Sequence, residues 1–90
     1  MTIDLSHLSV EQDFGEYRVV DARKDVANVI HRGTSDIGVD DVARRLYYAT
    51  GEVEIPAAMV AEIAAIIKRS GLVAYVKRAV LDALGKEVDR

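Results

Sequence analysis

The segment from Pro56 to Arg69, PAAMVAEIAAIIKR, limits what this chain can fold into more than any other stretch. Glu62 alone interrupts the hydrophobic run between the opening proline and the basic pair at the end. Proline suits the first position of a helix, and cations followed by a glycine, here Gly71, are typical of a helix end. A helix that is apolar nearly all round is usually buried, so the segment predicts a central helix over residues 56–70.

The predicted central helix has two unlike faces when its residues are spaced at about 100°. Large aliphatic side chains form one face, which suits a protein core. Ala57, Ala61 and Ala64 lie on the opposite face, where small side chains would let another backbone come close. Either of two neighbours would cover that face: a helix of the same chain, with residues 22–32 as the candidate, or a helix of a partner chain.

The N-terminal residues 1–20 predict a β-hairpin. The segment Thr2–Val10 begins with alternating polar and apolar residues, and Tyr17–Val20 is a β-branched and aromatic run. Gly15 lies between them as a turn residue. Because an isolated two-stranded hairpin is only marginally stable in water, we expect it to pack on helices or to gain a strand. That strand would come from Glu52–Ile55 or from a partner chain.

Three further helices are predicted by the spacing of apolar residues, over residues 22–32, 39–50 and 72–84. Asp21 is a typical N-cap for the first of these helices, and Gly85 is a typical stop for the last. Residues 86–90 are expected to form a frayed tail.

Together these elements predict a single compact domain over residues 1–90 with an α+β, mostly helical fold. The hairpin occupies residues 1–20 and the helices occupy residues 21–85. We expect the central helix 56–70 to pack against the two helices that flank it in the sequence.

Composition and charge exclude several classes of protein. Hydrophobic residues make up 50% of the chain and charged residues 30%, which is unlike a disordered chain. The chain has no cysteine, which excludes disulfides and thiol chemistry. Its first residues lack the basic and apolar regions of a signal peptide, and its longest apolar run is too short to span a bilayer. We therefore expect a cytoplasmic protein with no membrane partner.

Candidate catalytic and metal-binding residues are few, and each has a structural explanation. His7 and His31 occur without the spacing of a metal site, and we expect His31 to be solvated near a helix C-terminus. Asp36, Asp40 and Asp41 suit the N-cap and first turn of a helix. The sequence has no nucleophile–base pair, metal-ligand set or phosphate-binding glycine loop that we recognise. We therefore predict no enzymatic activity, no metal and no cofactor.

Three dibasic pairs would form a phosphate-binding surface if the helices aligned them. Lys and Arg total 12 against 15 Asp and Glu, and the resulting net charge of -3 opposes general nucleic-acid binding. A nucleic-acid-binding accessory role is therefore the alternative prediction rather than the leading one. Its candidate phosphate contacts are Arg44, Arg45, Lys68, Arg69, Lys77 and Arg78.

The run VDDVARRL, from Val39 to Leu46, resembles the first helix of a helix-turn-helix DNA-binding motif, in which a small residue faces the second helix. That family turns within a few residues through a glycine, whereas here an extended link over 51–55 follows the helix. The next helix opens PAAMVAEI, without the Arg, Lys, Asn or Gln that read base edges. The resemblance therefore lends little to the nucleic-acid alternative.

Apolar residues outside the predicted core favour a protein partner. Tyr48 falls on the polar side of its helix, Leu81 falls outside the apolar stripe of the last helix, and Tyr75 lies at the margin of that stripe. The leading prediction is a small non-enzymatic interaction or assembly module that forms a homodimer or higher oligomer, such as an accessory component of a phage or prophage. The candidate partner surface comprises Tyr48, Tyr75, Leu81, Ala57, Ala61 and Ala64.

Overall fold

The computed structural model describes the backbone of residues 1–88 and the side chains of residues 1–85. The fold is α+β and mostly helical, as the sequence predicts. A short 3-10 turn at Leu5–His7 separates the first two strands. The strands and helices, in chain order, are β1 Thr2–Ile3, β2 Leu8–Asp13, β3 Glu16–Val20, α1 Arg23–Gly33, α2 Ile37–Tyr48, β4 Val53–Glu54, α3 Ala57–Arg69 and α4 Ala74–Val88.

The first three helices begin within two residues of their predicted starts, each through its own local contact. Asp36 caps α2, since its carboxylate accepts hydrogen bonds from the N–H groups of Gly38 and Val39. Asp21 lies one position before the N-cap residue of α1, yet its carboxylate accepts a hydrogen bond from the N–H of Arg23 (3.1 Å). Pro56 occupies the N-cap position of α3 rather than its first turn.

The last helix corrects a prediction. It begins two residues later than expected, at Ala74, and it does not end at Gly85 but continues to Val88. A glycine ends a helix when it adopts a left-handed conformation, whereas within the described chain only Gly15 has a positive φ. A helical Gly85 costs only about 1 kcal/mol relative to alanine, so the helix passes through it. Residues 89–90 of the predicted tail lie outside the described residues.

Helix α3 packs mainly against α1 and α4, which revises one of its two expected neighbours. The sequence favours α2 as a neighbour because it precedes α3 in the chain, but α2 packs against α1 instead. Gly33, at the end of α1, permits the close approach to α3: a Cβ at this position would lie 2.6 Å from Cγ2 of Ile66. The large face of α3 is buried as expected and includes Val60, Ile63 and Ile67.

The strands form two separate two-stranded antiparallel sheets. Strand β4 pairs with β1, with Ile3 opposite Val53, and the N–H of Ile55 donates to the carbonyl of Met1 (2.7 Å). Strands β2 and β3 form the predicted hairpin, and Gly15 occupies its turn with φ of 79°. The segment Glu52–Ile55 thus pairs with the start of the strand predicted over Thr2–Val10, and not with β2 or β3. Within residues 1–88 the hairpin therefore has two strands.

Candidate functional site

The outer face of the hairpin carries most of the exposed apolar surface on the N-terminal part of the chain. Tyr17 lies opposite Glu11 and Val19 opposite Ser9, so all four side chains share one face. Tyr17 is 69% exposed and Val19 61% exposed, and Phe14 in the turn is fully exposed. We call Phe14, Tyr17 and Val19 the hairpin patch. It consists of side chains that the protein's own core does not use.

Strand β3 also has an uncovered backbone edge. Helix α4 packs on β2, whose Leu8 and Val10 are buried. Among the described residues, no helix packs closely on β3, and no residue of β3 is fully buried. Apart from its hydrogen bonds with β2, no backbone hydrogen bond involves residues 16–20 within the described chain. The 3-10 turn approaches β3, and the N–H of Ala22, two residues beyond its end, donates to the carbonyl of Leu5 (2.8 Å). This bond continues the pairing of β2 with β3, in which Leu8 lies opposite Val20, so it leaves the other backbone edge of β3 free over residues 16–20.

A second feature is an open cleft of about 220 Å³ between α1 and α2. At its rim the Nδ1 atom of His31 contacts the carboxylate of Asp40, and the guanidinium of Arg44 lies 4.0 Å from the other carboxylate oxygen. The rings of Tyr47 and Tyr48 meet edge to face, with centroids 4.8 Å apart. His31 and Arg44 thus converge on one carboxylate, and the contact of His31 ties the last turn of α1 to the first turn of α2.

His31 is exposed in the last turn of α1, as expected, but its pairing with Asp40 was not predicted. The imidazole side chain is 59% exposed, but it is held by a partner nine residues away on the next helix. No spacing rule within one helix reveals such a contact, because it depends on how α1 and α2 pack. Chemically the cleft offers a carboxylate with two neighbouring side chains, beside two phenol rings, without a serine, threonine or thiol among its lining residues.

A second histidine contact occurs in the 3-10 turn. The hydroxyl of Ser6 lies 2.5 Å from the carboxylate of Asp4 and 2.9 Å from Nδ1 of His7. The single hydroxyl proton is donated to Asp4, because that carboxylate has no proton to share. These hydrogen bonds hold the pKa of the Asp4 carboxyl below its usual range. The cluster caps the turn and does not activate Ser6 as a nucleophile.

Three of the six residues of the predicted partner surface have exposed side chains. Tyr48 is 72% exposed, and Ala57 and Ala61 of α3 are exposed, so α1 does not cover this part of the alanine face. By contrast, Ala64, Tyr75 and Leu81 are half-buried and pack against the core. The large apolar side chains exposed beyond Tyr48 are Phe14, Tyr17, Val19, Ile37 and Val73.

The six candidate phosphate contacts face several parts of the surface. Arg44 lines the α1–α2 cleft, Arg45 lines a groove beside β4, and Arg78 lines another groove beside the hairpin turn. Two of the remaining three cations bond to helix-end carbonyls: the ammonium of Lys77 donates to the backbone carbonyl of Lys68 (3.0 Å), and the guanidinium of Arg69 donates to that of Gly33 (2.9 Å). Lys77 therefore lies against the backbone of Lys68, and its charge is used at the end of α3.

An ion pair between Asp21 and Arg23 holds the segment that follows β3. The sequence predicted Asp21 only as a helix cap. The guanidinium of Arg23 makes a bidentate contact with the carboxylate of Asp21 and also donates to the carbonyl of Ala49 (3.1 Å). Hydrogen bonds from Arg23 lower the pKa of Asp21 to about 2. This contact joins the end of the hairpin to the start of α1 and to the end of α2.

Two kinds of feature are absent from the described part of the chain. Among the side chains of residues 1–85, no three His, Asp or Glu groups converge on a point where a metal ion could be held. Within residues 1–88, no helix combines the length and the apolar character needed to cross a membrane. In comparisons with known proteins, no family model, curated protein or solved structure matches this chain.

Proposed function

We propose that this chain is a small non-enzymatic interaction module that assembles with copies of itself. The observation that carries the proposal is the hairpin patch: three large apolar side chains, from 61% exposed to fully exposed, lie on one hairpin in a chain of 90 residues. Such a cluster on a small domain is typical of a surface that another protein covers. Phage and prophage accessory proteins are examples of the class of component we have in mind.

The core is complete without these side chains, which supports a role outside the fold. Every strand and helix other than β3 contributes at least one buried apolar residue to a single cluster. The patch could have been polar without loss of core packing, so its apolar character needs a separate explanation. The two histidine contacts are local ion-pair or capping contacts, and they support no catalytic role.

Multi-angle light scattering across a concentration series tests this proposal. The chain has a mass of 9.9 kDa, and we expect the weight-average mass to rise toward that of a dimer as the protein concentration increases from low micromolar to millimolar. A mass that stays at the monomer value over the whole series would contradict self-assembly.

A nucleic-acid-binding role remains the alternative, with less support. The cations face different grooves, and two of them bond to helix-end carbonyls. If the alternative holds, duplex DNA or RNA binds at low salt, and the affinity falls both with added salt and in an Arg44→Ala, Arg45→Ala variant. Fluorescence anisotropy with a labelled duplex measures both effects.

A further inference from the structure

We propose that the free edge of β3 pairs antiparallel with the β3 edge of a second copy, so that two hairpins form one four-stranded sheet. The proposal rests on the proposed function and names its surface, its partner and its register. Edge strands with unpaired backbone groups are the usual site of strand addition, and natural proteins normally block them by covering or charge. Here no helix covers β3, and its outer face is apolar.

Two-fold symmetry restricts how the two edges can pair. In a symmetric antiparallel pair, one residue lies opposite its own counterpart, and the others pair at equal distances on either side. With Arg18 at the centre, the two guanidinium groups would face each other, which is destabilising. With Val19 at the centre, Arg18 would lie opposite Val20, and Tyr17 would lie opposite Asp21, beyond the end of β3, so no opposite charges would meet.

With Tyr17 at the centre, both objections disappear. Glu16 of each copy then lies opposite Arg18 of the other, which gives two equivalent ion pairs. Neither side chain has an ion-pair partner within its own described chain, so both are free for this role. The paired segment lies within residues 15–19, which comprise the turn glycine and the first four residues of β3.

The same register also covers the hairpin patch. The two Tyr17 side chains lie opposite each other on the outer face, and each reaches diagonally toward Val19 of the other copy. Such aromatic and β-branched neighbours are favourable cross-strand contacts. A single strand pair buries little surface, so the expected dimer is weak and depends on protein concentration.

A charge exchange between Glu16 and Arg18 tests the register directly. Arg18→Glu alone or Glu16→Arg alone places like charges opposite each other at two symmetric positions. We expect each single variant to raise the dimer dissociation constant by about tenfold or more. The double variant Glu16→Arg, Arg18→Glu restores opposite charges in every pair, and we expect its dissociation constant to return to within about threefold of the wild-type value. Sedimentation equilibrium provides the dissociation constants.

The controls separate this proposal from the more general one. Lys24→Glu changes the net charge as Arg18→Glu does, but at an exposed position on α1, and we expect it to leave dimerisation unchanged. If the wild type dimerises and both single variants dimerise as tightly, the pairing through β3 is overturned. Self-assembly would then use another surface. Loss of the dimer in the single variants without recovery in the double variant would overturn the register. A wild-type chain that is monomeric throughout would overturn both proposals. Circular dichroism confirms that each variant keeps the wild-type fold.

Discussion

The two strands of the hairpin have similar apolar content but opposite roles in the fold. In β2, Leu8 and Val10 are buried beneath α4, and the residues between and after them face solvent. In β3, Tyr17 and Val19 point away from the helices and stay exposed, although β-branched and aromatic residues of this kind usually pack against something. The difference shows that strand propensity in this chain does not predict burial. An apolar side chain that the fold leaves uncovered is then available to a partner.

The sharpest test of this contrast replaces one valine in each strand. Val10→Ala removes a side chain with no exposed surface, and we expect the free energy of unfolding to fall by about 2–3 kcal/mol through lost burial and a residual cavity. Val19→Ala, on the exposed face, is expected to change the free energy of unfolding by less than about 0.5 kcal/mol. Urea denaturation at low micromolar concentration, where the monomer dominates, measures both values. Equal losses in the two variants would mean that β3 is packed as tightly as β2.

The helices show what local sequence patterns can predict. Apolar periodicity predicted all four helices. A spacing such as that of Val39, Val42 and Leu46 depends only on the geometry of a single helix with one buried face. The prediction that α2 packs against α3 was wrong, because the apolar pattern shows which face of a helix is buried but not which element buries it. The close approach of Gly33 to Ile66 is the detail that decides this, and it depends on two residues 33 positions apart.

The candidate site was less predictable for the same reason. The run Tyr17–Val20 was identified as a strand, but its exposure depends on where α4 lies, and a strand pattern carries no such information. Likewise, apolar spacing predicted that Leu81 lies outside the apolar stripe of its helix, whereas neighbouring elements half-bury it. Exposure is a property of the whole packing arrangement. Only Tyr48 of the predicted large apolar surface residues kept the exposure expected of it.

The turn that joins β2 to β3 provides a test of intermediate size. Gly15 has φ of 79°, where an L side chain is strained, and a Cβ there would meet no other atom within 4 Å. We therefore expect Gly15→Ala to lower the free energy of unfolding by about 1 kcal/mol through backbone strain alone. Gly51→Ala is the matched control, because Gly51 also has open space around it but no positive φ. Equal stability of the two variants would show that the hairpin contributes little to the fold.

The smallest effect is expected at the exit from β3, where Asp21 anchors the uncovered strand to the helices. Hydrogen bonds from Arg23 lower the pKa of Asp21 to about 2, below its ordinary value of 3.8. Because the folded state favours the charged carboxylate, this contact stabilises the fold fully above pH 3.8, and its contribution is lost as the pH falls toward 2. Asp21→Asn should therefore lower the urea midpoint slightly at pH 7 and have less effect near pH 2. Asp25→Asn, in the exposed first turn of α1, serves as the control. If Asp21→Asn lowers the urea midpoint by as much at pH 2 as at pH 7, the ion pair does not hold β3 in place.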